Sequence, residues 1–148
     1  MAESARPSKG AHEFQALLAS AARAVTTGTG GTAIRLPVAQ GYAFVLDVTN
    51  AATDADDTLD VYVQTKLDGT NWVDVVHFTQ VLGNGADAIR FVSKLVPALA
   101  QAEFNNATAL GAAAVRHLAG DEWRAFYVIV DPTGTNATFT FSVAAIPL

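Results

Sequence analysis

The sequence predicts an all-β protein, an antiparallel β-sandwich or jelly-roll-like barrel with an extended N-terminal arm and an Ala-rich helix or loop insertion. Three observations carry this prediction. From Ala33 onward apolar and polar residues alternate with the period of a strand. The alternating runs are separated by short stretches rich in Gly, Asn and Asp, the residues that turns require. Near the end, "WRAFYVIV" (123–130) is apolar on both faces, as expected of a central strand covered on each side.

Taken in order, residues 1–12 hold Pro7, Gly10, Ser4, Ser8 and mixed charges without an apolar period, and read as a flexible or partner-bound arm. "FQALLASAARAV" (14–25) fits a short amphipathic helix or a strand; its Ala and Leu favour the helix. "TTGTGGT" (26–32) breaks the chain as a glycine-rich linker. It lacks the Lys-Ser/Thr ending of a phosphate-cradling loop and precedes a strand, not a helix. Ile34, Leu36 and Val38 then mark one strand, and Tyr42, Phe44, Leu46 and Val48 a second.

"NAATDADDT" (50–58) is a loop by composition. In the next strand Leu59, Val61, Val63, Thr65 and Leu67 share one face, with Asp60, Tyr62, Gln64 and Lys66 on the other. Asp68-Gly69-Thr70-Asn71 supplies a hairpin loop. The returning run, Trp72 to Val81, puts Val73 and Val75 on one face but Trp72, Val76 and Phe78 on the other, so either both faces are buried or a bulge shifts the phase. After the turn "GNGAD" (83–87), Ile89 and Phe91 begin another strand. Residues 96–119 are rich in Ala and Leu without β-branched alternation and read as an insertion, helical or a long loop. "DPTGTN" (131–136) turns the chain, and Phe139, Phe141 and Val143 close it with a half-buried strand.

At 148 residues the chain has the length of one domain, with 13–148 as the sandwich and 1–12 as the arm. Hydrophobic residues make up 51% and charged ones 16%, with mean hydropathy +0.26, which points to apolar surface covered by a partner or by further copies. A net charge of −5 with scattered Lys and Arg argues against nucleic acid as a partner. The absence of cysteine excludes disulfides, thiolate zinc sites and a cysteine nucleophile. The polar start has no apolar signal core, and no run approaches the roughly 18 apolar residues of a membrane span, so neither secretion nor a membrane partner is expected.

No catalytic, cofactor-binding or metal-binding constellation emerges, and an enzyme is not expected. Asp54, Asp56, Asp57 and Asp60 offer carboxylates to calcium, but Leu59 stands where an EF-hand loop needs its glycine, and a solvated acidic loop is the favoured reading. His12, His77 and His117 lack metal-ligand spacing. Tyr62, Trp72 and Trp123 suggest either a sugar-stacking platform, hence a carbohydrate-binding or adhesin module, or ordinary cross-strand and core packing, which is favoured.

Three blocks together, "LLASAARAVTTGTG", "AFVLDVTNAATDADDTLDVYVQTKLDGTNWVDVVHFTQV" and "WRAFYVIVDPTGTNATFTFSVAAI", resemble a group of small β-rich virion structural proteins of tailed bacteriophages and prophages. The resemblance covers most of 17–95 and 121–144; the extension 1–12 and the segment 96–119 depart from it. It implies a capsid decoration or cement protein in the virion, made in the bacterial host cytoplasm, with the major capsid protein and copies of itself, as a homotrimer, for partners and no cofactor. Minor tail and head–tail connector roles are the alternatives within the same group. On this reading Arg6, Pro7, Lys9, His12 and Phe14 are the partner-binding residues, with Arg6 and Lys9 pairing with capsid carboxylates.

Overall fold

The computed structural model describes residues 14–24, 27–29, 33–83, 88–134 and 137–148. Ten strands form among them: β1 (Gln15–Ala24), β2 (Thr27–Thr29), β3 (Tyr42–Asn50), β4 (Thr58–Lys66), β5 (Trp72–His77), β6 (Val81–Leu82), β7 (Ile89–Leu95), β8 (Ala114–Val115), β9 (Trp123–Val130) and β10 (Thr138–Pro147). They build a four-stranded sheet in the order β1-β10-β3-β7 and a six-stranded sheet in the order β2-β9-β4-β5-β8, with β6 on β4. The pairings are antiparallel and the two sheets pack face to face as a β-sandwich.

The core follows from the alternation. Phe44, Leu46 and Val48 of β3 and Phe139, Phe141 and Val143 of β10 project from one sheet; Leu59, Val61 and Val63 of β4 and Trp123, Ala125 and Ile129 of β9 project from the other. Burying side chains of this size contributes about 1.5–3 kcal/mol each. Trp123 links the layers, its ring 5.2 Å from Tyr42 and 5.4 Å from Phe44. Behind β9, Gly120 lies so close to the Lys66 carbonyl that no side chain fits there.

Two sequence expectations change in the first forty residues. Residues 15–24 form a strand and not a helix: β1 pairs along β10 with two register shifts, so that Leu17 and Leu18 are both buried. Arg23 holds the irregularity, its guanidinium donating to the carbonyls of Ala19 (2.7 Å), Ala21 (2.9 Å) and Phe141 (2.8 Å). Sheet pairing here overrides the helical preference of Ala and Leu. Residues 33–39 are not a strand but an extended segment with one bridge, Ile34 to Trp123. Pro37 has no N–H to extend a ladder, and Val38 is fully exposed.

The irregular return of the hairpin is a bulge. Val63 faces Val76 while Gln64 faces Asp74, leaving Val75 as the extra residue, so that Val73, Val75, Val76 and Phe78 all reach the core. The turn itself is organised by Asp68, which accepts hydrogen bonds from the amides of Thr70 (2.9 Å) and Asn71 (2.7 Å) and from the Asn71 side chain (2.8 Å), with Gly69 at φ +77°. β9 is central, as expected, yet only one of its faces is covered by the other sheet; Phe126 and Val128 on the outer face are half-buried and Val130 is exposed.

The Ala-rich segment 96–119 is a loop, and no helix forms among the described residues. Its backbone is satisfied by long-range partners. The Val96 amide donates to His117 Nδ1 (3.0 Å), the His117 amide to Gln101 Oε1 (2.8 Å) and the Arg116 amide to the Val75 carbonyl (2.8 Å). The buried Arg116 guanidinium donates to the carbonyls of Thr108 (2.9 Å) and Asp74 (3.3 Å) and lies 4.1 Å over the Phe104 ring. A straight helix could not bring these groups together.

Candidate functional site

Of the residues expected to bind a partner, Arg6, Pro7, Lys9 and His12 lie outside the described residues. Phe14 is described, and its side chain is 62% exposed. It lines a groove of about 290 Å³ on the outer face of the four-stranded sheet, together with Val45, Ala144 and Ile146 and the ion pair of Arg90 with Asp47 at 3.1 Å.

Strand register makes this face continuous. Ala16 is opposite Ala144, Ala144 opposite Val45, and Val45 opposite Val92, so an apolar stripe crosses all four strands, with Ala144 itself only 2% exposed. Val92, on the edge strand β7, is 61% exposed. A polar row of Ser142, Asp47 and Arg90 runs beside the stripe, with Asp47 and Arg90 ion-paired. A sheet face of this kind has the makeup of a docking surface: an apolar centre bordered by charges. The sequence signal for it was Val45, a large apolar residue in the phase otherwise occupied by Ala43, Asp47 and Thr49.

The outer face of the six-stranded sheet is polar and aromatic. Phe126, Tyr62 and His77 stand side by side across β9, β4 and β5. The Tyr62 ring stacks on the His77 imidazole with centroids 4.0 Å apart. His77 Nδ1 is 2.8 Å from the Leu110 carbonyl oxygen and Nε2 is 2.8 Å from Asp60 Oδ1, while Gln80 donates to Asp60 Oδ2 (2.8 Å). Burial, then Asp60 and Asp74, push the Tyr62 hydroxyl above its ordinary value.

Towards the hairpin end of the same sheet, Arg124 donates through Nε to Gln64 Oε1 (2.7 Å), and Gln64 donates to Asp74 Oδ1 (2.7 Å). Trp72 has Arg124 4.3 Å and Lys66 4.9 Å over its ring. Of the three rings a sugar-stacking platform would use, Trp123 is in the core and takes no part in this face, and Tyr62 and Trp72 already hold a histidine and two cations.

The acidic loop divides. Asp60 turns to His77, while Asp57 turns inward and is only 1% exposed, one carboxyl oxygen having no hydrogen-bond partner. It borders a polar cleft of about 200 Å³ between the β3–β4 loop and the start of β10. Asp131 organises the facing turn, accepting from the amides of Gly134 (2.9 Å) and Ala137 (3.1 Å) and from the Thr133 hydroxyl (3.2 Å). Desolvation, then Asp131, Asp54 and Asp56, raise the Asp57 carboxyl above the usual range. Among the described residues no three His, Asp or Glu side chains converge to hold a metal ion.

No protein family, curated protein or solved structure matches the chain.

Proposed function

We propose that the chain is a non-enzymatic structural protein of a tailed-phage virion, a capsid decoration or cement protein that binds the major capsid protein and neighbouring copies of itself on the head surface. The observation that supports this reading best is the apolar stripe Ala16, Ala144, Val45 and Val92, with Phe14 at its margin where the chain leads back to residues 1–13. A protein that reinforces a shell needs a stiff scaffold, apolar contact area and no reactive group. The sandwich supplies the first and the four-stranded sheet the second. Arg6 and Lys9 of the N-terminal segment would pair with capsid carboxylates, and a homotrimer would suit the three-fold positions of the shell.

Co-sedimentation with purified tail-less heads tests the reading, comparing the full chain with a chain lacking 1–12. Saturable binding by the full chain, weakened by the deletion, is the expected result. No binding by either, with binding to purified tails, would move the protein to a tail or connector role.

A further inference from the structure

We propose that segment 96–119 is a strap held on the edge of β5 by a doubly protonated His77, so that loss of one imidazole proton unfastens it. The argument starts from donors and acceptors. The Leu110 carbonyl can only accept, so the nitrogen 2.8 Å from it, Nδ1, must carry a proton. Asp60 Oδ1, as a carboxylate oxygen, also only accepts, so Nε2 at 2.8 Å must carry one as well. An imidazole with a single proton would turn a lone pair toward one of these oxygens. The Tyr62 ring stacked at 4.0 Å presents a π face to the ring, an arrangement that favours a cation.

The groups around His77 are accounted for. From β4 come Asp60 and Tyr62, and from the residues after β5 comes Gln80, which donates to the far oxygen of Asp60. From the strap come the Leu110 carbonyl, Ala114 as the ladder partner of His77, and Arg116, whose charge is engaged by the Thr108 and Asp74 carbonyls. At the base of the strap His117 accepts from the Val96 amide through Nδ1, so acid would act there in the opposite sense, and the Val96 amide reports on it separately.

The rest of the strap is attached at its C-terminal end, through the Arg116 amide to the Val75 carbonyl and through Val115 and Leu118 against the core. β8 contributes the two pairs Val76–Val115 and His77–Ala114, and Ala113 before it holds φ +58°, a left-handed conformation that costs energy in a residue with a Cβ. The fastening through His77 is the contact that holds the Leu110 end of the strap on β5, ahead of the pairs at Ala114, Val115 and Arg116.

The test is amide hydrogen exchange at Arg116, whose N–H bonds the Val75 carbonyl across that edge, measured from about pH 5.5 to 8.5 and corrected for intrinsic exchange. In the parent protein, Arg116 protection should fall on the order of tenfold as pH rises, the loss of one charge-assisted bond. In D60N the new amide can donate to Nε2 while its oxygen still accepts from Gln80, so neutral His77 keeps both contacts and protection should no longer depend on pH. Nitrogen-15 spectra of the imidazole should show two protonated nitrogens in the parent at the acidic end. A single protonated nitrogen there, or Arg116 protection in the parent as insensitive to pH as in D60N, would overturn the proposal.

Discussion

Replacing Trp123 by Ala should cost far more stability than replacing Trp72, although both are tryptophans in strands of the same sheet. Trp123 is 1% exposed and contacts Tyr42 and Phe44 of the opposite layer, and its backbone carries the bridge to Ile34. Truncating a buried side chain of this size removes about 3–5 kcal/mol. Against a typical domain stability of about 5–15 kcal/mol, that is roughly a fifth or more of the whole. At about 2–4 °C per kcal/mol for a chain near 150 residues, Tm should drop by about 6–20 °C. Trp72 is half-exposed and held by Arg124 and Lys66 over its ring, contacts worth about 0.5–1 kcal/mol each near the surface. Guanidinium denaturation followed by far-ultraviolet circular dichroism measures both variants without depending on tryptophan emission. Equal losses, or a loss below about 1 kcal/mol for Trp123→Ala, would refute the assignment of Trp123 as the pin between sheets.

Three further outcomes are expected. Because the folded Asp57 carboxyl titrates above its unfolded value, the folded state keeps a proton that the unfolded chain has released, and stability falls as pH rises above the unfolded value of about 3.9. Asp57→Asn should flatten that part of the profile and raise Tm at neutral pH; a lower Tm at pH 7 with the slope unchanged would contradict the assignment. Asp68 runs the other way. Hydrogen bonds from the Asn71 amide and side chain and the Thr70 amide lower its pKa to about 2, so its support of the hairpin is complete above the ordinary aspartate value and is lost as pH falls toward 2. Asp68→Ala should speed exchange at the Thr70 and Asn71 amides, and unchanged rates would count against the turn described. Gly120→Ala should cost about 1–3 kcal/mol by thermal melting, since the methyl group meets the Lys66 carbonyl; a neutral substitution would show that this approach is looser than it looks.

Wherever the information is local, the sequence reads through to the structure. Asp68-Gly69 marks the turn, the faces of β4 are those the alternation assigns, and Phe139, Phe141 and Val143 are buried in phase. What escapes is set by distant partners. The bulge at Val75 exists because β4 and the core accept both Val75 and Val76, and β1 is a strand because β10 is there to pair with it. Segment 96–119 has helical composition, yet Arg116 and His77 find carbonyl partners that no local pattern encodes.

The candidate sites divide in the same way. Val45 signalled an apolar outer face from its phase alone, but its alignment with Ala144 and Val92 depends on register. Asp54, Asp56, Asp57 and Asp60 look equivalent in sequence. Only the fold turns Asp57 toward Asp131 and Asp60 toward His77, which separates one buried acid from one ion-paired one.

The most direct measurement is an electron cryomicroscopy reconstruction of purified tail-less heads incubated with saturating protein. The account predicts sandwich-shaped density on the outer shell, with the sheet face carrying Val45, Val92 and Ala144 turned toward the capsid lattice or toward a neighbouring copy. Shells that stay bare at saturating protein would contradict it.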